Sequence, residues 1–292
     1  MNYGIVIIAL GYPLYGSAAF NLALSLKDKN PDVPIAIVYE PSAISQLSER
    51  ELAYFDHFIE IPESFYTVNG SKQYQRAKLC VNIITNKLGW THTMYMDADN
   101  LWNEKPLDWL FGQLHKRDFY IGMNGHYNVI TKQYTGNGYT YWANPDVKTV
   151  CKYHDIKKIL PQTISGFVFF KNGEFADEVF TKALEVYDDP KAPTIVWAGG
   201  KPDEYCMNVA LGQLDYTQEP AHIFYFDKIN GSRKEDSITS TFWGFATGGN
   251  QVNPRIIHLF NRKVNALCIK HKIPTRHYHI DKKDVILERS KF

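Results

Sequence analysis

Apolar runs and amphipathic stretches alternate through the first hundred residues of the chain. "YGIVIIAL" is apolar at every position after Tyr3 and Gly4, the pattern of a strand covered on both faces. A Gly-Tyr-Pro turn follows, and "SAAFNLALSLK" reads as a helix with Ser17 placed to cap it. "VPIAIVYE" gives a second strand, "SERE" at Ser48 to Glu51 a capping box, and "HFIEI" a third, shorter strand. An amphipathic helix is predicted over residues 72–88, stopped by Gly89. "TMYMD" is the next strand. Strands separated by helices predict a parallel sheet in a doubly wound α/β domain, where ligands sit outside the carboxyl ends of the strands.

The second half is patterned differently. "DFYIGMN" (118–124) predicts a strand, and residues 125–145, polar, aromatic and glycine-bearing, a long surface loop. "ISGFVFFKNG" reads as a strand and turn, "EFADEVFTKALEVY" as an amphipathic helix, and "PDEYCMNVAL" as the opening of another. Residues 227–254 are loop-like, and "RIIHLF" reads as a last apolar strand. Neither repeats nor a low-complexity linker divide the chain, so one composite domain is expected.

Composition refines this only slightly. At 45% hydrophobic and 22% charged residues, the 292-residue chain has the make-up of a globular protein with a sizeable core. A formal net charge of +1 gives no global attraction to nucleic acid or anionic membrane. Four scattered cysteines without a CxxC pair argue against a zinc knuckle or disulfide framework and suit a reducing compartment, so a cytoplasmic location is expected. The N-terminal apolar run is too short for a signal-peptide core with its cleavage site, and no run is long enough to span a bilayer.

The chemistry concentrates where "TMYMD" ends. Asp97 and Asp99 lie one residue apart at the carboxyl end of an apolar strand. An Asp-x-Asp pair occurs about once by chance in a chain of this length at average Asp usage of roughly 5%. Here a strand would fix two hard oxygen ligands for a divalent cation; the alternative is a solvated strand-to-helix turn leading to Pro106. His258, in "RIIHLF", could add an imidazole to the carboxylates, a mixed set that suits Mn²⁺ better than Mg²⁺, or could be a half-buried strand residue. Arg262 and Lys263 follow it and could meet phosphate oxygens or simply water.

Taken in order, these segments resemble the GT-A-fold nucleotide-sugar glycosyltransferases, most closely the glycogenin-like and LgtC-like group (family 8). "IVIIALGYPLYGSA" resembles that family's opening strand and nucleotide-binding loop, and "QRAKL" its nucleotide-contacting helix. "MYMDAD" is similar to its L-Y-L-D-x-D metal motif. "SGFVFFKNG" and "PDEYCMN" resemble its Ser-Gly and D-[QE]-x-x-x-N segments, and "HLFNRK" stands where it has H-x-x-G-x-x-K.

The resemblance implies an α/β, Rossmann-like GT-A fold with a mixed, mainly parallel central sheet flanked by helices. It implies a single domain over residues 1–262, with a nucleotide-binding half (1–124) and an acceptor half (125–262), followed by a basic tail (263–292). It makes Asp97, Asp99 and His258 ligands of a divalent cation, with Mn²⁺ preferred and Mg²⁺ possible. Ala9, Gly11, Tyr12, Arg76, Lys78 and Asp97 would contact the nucleotide of a nucleotide diphosphate-sugar, most simply a UDP-sugar. Gly166 would line the donor sugar, and Asp203 and Glu204 the donor and acceptor side, one of them serving as general base if the reaction inverts. The family's Gly and Lys after the histidine are replaced by Asn261 and by Lys263 one residue early, which leaves Arg262 and Lys263 as the diphosphate contacts.

The acceptor is less defined. Residues 125–142 and 239–250 are aromatic loops of the kind that carry recognition. A glycan or lipid-linked saccharide is the expected acceptor, with a hydroxylated DNA base as the alternative, since sugars and bases both stack on such rings. From Arg262 to Phe292 nine Lys or Arg stand against three acids, which would suit a polyanion or a solvated surface. A non-catalytic nucleotide-sugar binder is a rival reading. A pyrophosphorylase is disfavoured, because "GYPLYGSAAF" holds no basic residue.

Overall fold

A computed structural model describes residues 2–102, 107–136, 146–196, 199–217, 225–228, 237–241, 254–281 and 284–290. The opening apolar run forms β1 (Tyr3–Ala9), buried from Gly4 onward. α1 (Pro13–Lys29) starts four residues before Ser17. Pro13 takes the first helical position, where its missing N–H is no loss, Tyr12 is the cap, and Ser17 lies buried inside the helix rather than capping it. β2 (Ile35–Tyr39), α2 (Pro41–Ile44) and α3 (Glu49–Leu52) follow. The capping box before α3 is present: the Ser48 N–H donates to Glu51 Oε2 at 2.7 Å. β3 (His57–Glu60) then pairs parallel to β2.

A small hairpin, β4 (Thr67–Val68) and β5 (Ser71–Lys72), turns on Asn69 and Gly70, both at positive φ. The helix predicted over residues 72–88 is interrupted. It comprises α4 (Gln75–Lys78), α5 (Val81–Thr85) and a 3₁₀ turn that ends at Gly89, φ 65°. The break falls at Leu79–Cys80, ahead of "VNIIT", whose β-branched and amide side chains are weak helix formers.

β6 (His92–Asp97) and β7 (Asn100–Trp102) flank the turn that carries Asp99, and α6 (Leu107–Leu114) comes next. β8 (Phe119–Asn128) runs further than expected. Its end pairs antiparallel with β9 (Gln133–Gly136), and Tyr127 packs on its cross-strand partner Tyr134 with ring centroids 4.9 Å apart. Part of the expected 125–145 loop is therefore strand; residues 137–145 lie outside the described residues. α7 (Val147–Tyr153), β10 (Ile159–Lys171), α8 (Glu174–Asp188) and α9 (Asp203–Gln213) complete this stretch. β11 (Tyr225–Lys228) runs into, and β12 (Ser237–Thr241) falls within, the region 227–254 read as loop, most of which is not described.

The expected strand "RIIHLF" is instead part of α10 (Pro254–Lys270). Six residues hide the period that seventeen reveal: Phe260, Val264 and Cys268 recur every four positions and are buried, while Arg262, Lys263, Ile269 and Lys270 face outward. β13 (Arg276–Asp281) and β14 (Asp284–Arg289) close the chain as an antiparallel hairpin.

Seven strands form a mixed, mainly parallel sheet in the order β3-β2-β1-β6-β10-β8-β9, flanked by helices as expected. Two compact units emerge. The first comprises Met1–Val6, Ile61–Tyr95 and Leu114–Ala221. Its core includes Phe119, Phe170 and Phe180, with Phe170 and Phe180 5.1 Å apart edge to face. Asn172 clasps β6 from the end of β10, donating to the Trp90 carbonyl at 2.7 Å and accepting from the Thr93 hydroxyl at 3.2 Å.

The second unit comprises Ile7–Glu60, Met96–Gln113 and His222–Phe292. Part of the positive charge expected on its C-terminal stretch is turned inward. Arg276 is fully buried against the Glu51 carboxylate, which also meets Arg289 at 3.3 Å. Asn21 donates to the Tyr278 hydroxyl at 2.6 Å, and the buried Asp28 carboxylate holds Lys270 at 2.6 Å and His271 at 2.7 Å. The hairpin and the end of α10 are thus pinned to α1 and α3 by buried polar contacts, each of which would be costly to leave unmatched.

Candidate functional site

In the second unit, three elements bring chemistry to their carboxyl ends. β1 ends at Ala9, which is fully buried, and the chain turns through Gly11 at φ 87°, a left-handed value that favours glycine. Tyr12 follows with 69% of its surface exposed, and the turn is tied down from below by Glu40 at the end of β2. β6 ends at Asp97, and Ala98–Asp99 form a turn into β7. Both acids are half-buried, and the Asn100 side-chain amide donates to the Asp97 carbonyl at 2.8 Å, fixing the turn. Two carboxylates held this closely in sequence, partly withdrawn from water, match the hard-oxygen donors that a divalent cation takes.

His258 lies in the first turns of α10 rather than in a strand, and its side chain is outside the described residues. Arg262 follows one turn later in the same helix, and both Arg262 and Lys263 are exposed. Among the described residues, no three His, Cys, Asp or Glu side chains are gathered as a ready-made metal cluster.

In the first unit the structure gathers a second constellation. Asp203 opens α9, where the helix dipole favours a carboxylate, and is 4% exposed. Its Oδ2 accepts from the Ser165 hydroxyl and pairs with Lys78 Nζ at 3.3 Å. Lys78 also lies over the Tyr95 ring, 6.0 Å from its centroid. Ser165 and the buried Gly166 sit in a bulge of β10, where register with β8 breaks between Ile164 and Val168. The bulge turns this part of the strand out of the ladder and toward Asp203. Lys78, Tyr95, Ser165, Asp203 and Met207 line one small recess. Glu204 is half-buried beside it in the chain.

Arg76 is engaged elsewhere. It forms a two-pronged pair with Asp188, at 2.8 and 2.7 Å, and donates to the Phe65 carbonyl at 3.0 Å, tying α4 to the end of α8. The four cysteines are all buried, and burial raises each thiol, to about 11 for Cys80 and Cys151, so none is poised as a nucleophile. Ser165 was legible only as the serine of the Ser-Gly segment, without a role, and Glu40 did not stand out except as an acid ending the second strand.

Comparison with solved structures gives matches to glycosyltransferases. Galactosyltransferase LgtC in complex with donor and acceptor sugar analogues aligns with a TM-score of 0.50 and 11% identity, over 91% of this chain and 95% of that one. An active-site glutamine-to-glutamate mutant of LgtC aligns with the same score and identity, over 88% and 95%. The bifunctional glycosyltransferase WbbM aligns with a TM-score of 0.44 and 13% identity over 72% of this chain, which spans 37% of the WbbM chain. No family model matches the sequence, and no curated protein matches it significantly. The LgtC alignment, nearly complete on both sides, shows that this chain shares the LgtC fold, the GT-A fold that the motifs implied. No helix among the described residues is long and apolar enough to cross a membrane.

Proposed function

We propose that this chain transfers a sugar from a nucleotide diphosphate-sugar, most simply a UDP-sugar, to a hydroxyl group of a glycan or lipid-linked saccharide, in a metal-dependent reaction. The observation that carries the reading is the pair of half-buried carboxylates, Asp97 and Asp99, at the carboxyl end of β6 in a GT-A fold. Breaking the bond at the anomeric carbon leaves an oxocarbenium-like centre and places charge on the departing diphosphate. Asp97, Asp99 and His258 would hold the divalent cation, Mn²⁺ in preference to Mg²⁺, whose chemistry is to neutralise that charge as a Lewis acid.

The remaining roles fall to the chain's own side chains. Tyr12, displayed on a turn, offers a face for the nucleobase, with Ala9 and Gly11 beneath it. Arg262 and Lys263 supply further positive charge for phosphate oxygens. Lys78 and Asp203, held as a fixed pair by Ser165, orient hydroxyl groups of the donor sugar without reorganising during reaction. Asp203 and Glu204 are the two acids that could take a proton if the reaction inverts.

A screen of nucleotide sugars for release of nucleoside diphosphate, with and without Mn²⁺, tests this reading. One donor is expected to turn over in the presence of metal and to stop on chelation. Turnover of no donor under any metal, by protein that binds UDP, would leave a non-catalytic binder instead.

A further inference from the structure

The loop between β1 and α1 is held by an acid that the functional reading does not use. Glu40 stands at the carboxyl end of β2 and is 7% exposed. Its Oε1 accepts two hydrogen bonds, from the Gly11 backbone N–H at 2.9 Å and from the Ser42 hydroxyl at 2.8 Å. Withdrawing a carboxylate this far from water is unfavourable unless its hydrogen bonds repay it, so its placement under a loop calls for a reason. The loop supplies one. The Tyr12 N–H returns to the Leu10 carbonyl at 3.2 Å, which closes a γ-turn around Gly11 at φ 87°, a strained turn that needs support. The Tyr15 N–H then takes the Tyr12 carbonyl at 2.9 Å as α1 begins. Three successive contacts therefore fix the backbone on both sides of Tyr12, while its ring is left 69% exposed. A ring carried on a clamped backbone has little freedom left to lose when a ligand stacks on it.

We infer that Glu40 is a positioning residue for nucleotide binding: by holding the Gly11 N–H it keeps the strained turn closed and the Tyr12 ring presented to the nucleoside. The inference rests on the proposed use of this loop for a nucleoside diphosphate. Glu40 acts through the loop, so the acceptor oxygen matters and the negative charge does not.

Two readouts on Glu40→Ala and Glu40→Gln separate the possibilities. In hydrogen–deuterium exchange of the segment spanning residues 8–16, Glu40→Ala should exchange at least about tenfold faster at Gly11 and Tyr12, the loss of one good hydrogen bond. In calorimetric titration with UDP and Mn²⁺, the same variant should bind about tenfold more weakly. Glu40→Gln retains an acceptor oxygen and should recover most of both losses. Gly11→Ala, which strains the turn while leaving the Glu40 side chain in place, should reproduce both if Glu40→Ala folds poorly. Wild-type exchange in Glu40→Ala overturns the inference, as does faster exchange with unchanged UDP affinity. Glu40→Gln binding as weakly as Glu40→Ala, with wild-type exchange, overturns it too, because Glu40 would then act through its charge. If the wild-type protein binds no nucleoside diphosphate, the functional reading fails and the role in nucleotide binding falls with it. The exchange result still decides whether Glu40 holds the turn.

Discussion

Lys78 Nζ lies 3.3 Å from Asp203 Oδ2, the same oxygen that accepts the Ser165 hydroxyl. The two residues are 125 positions apart, and β10 and α9 bring Ser165 and Asp203 together through the bulge at Gly166. Removing the ammonium leaves a buried carboxylate with less compensation. Lys78→Met is expected to lower stability by about 1–3 kcal/mol, less than a fully buried pair because Lys78 keeps part of its surface in water. Adding Asp203→Asn to it should restore part of that loss. Urea unfolding of the wild type, both single variants and the double variant measures the coupling, and additive losses would show that the pair does not interact.

The ion pair between Glu51 and Arg276 is sealed more completely, at 2% and 0% exposure. Arg276 also stacks over Phe20, 4.1 Å from its ring centroid, so it joins the terminal hairpin to α1 as well as to α3. Breaking such a pair from one side costs about 3–5 kcal/mol. Arg276→Met should lose stability in that range and should speed amide exchange across β13 and β14 before it affects β8 or β10. Exchange that accelerated uniformly would show that the hairpin is not a separable element.

Two buried histidines are expected to weaken the fold in mild acid. Burial pushes His92 down, and the Lys171 and His115 charges push the same way. Burial also lowers His154, which meets the Tyr205 hydroxyl at 2.7 Å, with Asp189 opposing the shift. Both therefore stay neutral in the folded chain at pH values where an unfolded imidazole, near 6.5, takes a proton. Below that value the unfolded state binds more protons, so stability falls as pH drops. The thermal midpoint should decline from pH 8 to pH 5.5, and His154→Gln should decline less steeply. An equal or steeper decline in the variant would remove His154 from the explanation.

Much of the fold is written locally. β1 and β2 are nearly unbroken apolar runs, and α8 carries its apolar period within the segment itself. Where reading went astray, a competing local signal was present. Pro13 marks the helix start better than Ser17, and the seventeen residues of α10 show a four-residue period that "RIIHLF" alone conceals. The candidate site divides along the same line. Asp97 and Asp99 are legible because strand and acids are contiguous. The contacts of Ser165 with Asp203, and of Glu40 with Gly11, span 38 and 29 positions and leave no local trace. The pairing of Arg76 with Asp188, 112 residues on, likewise leaves no local trace.

Release of nucleoside diphosphate from the preferred donor, compared in Mn²⁺ between the wild type, Asp97→Asn and Asp99→Asn, bears most directly on the proposed chemistry. Each substitution keeps the shape and removes one hard anionic ligand, so turnover should fall at least about a hundredfold, with thermal stability little changed. Turnover that needs no metal and survives both substitutions would contradict the assignment of these two acids, and with it the metal-dependent transfer proposed for this chain.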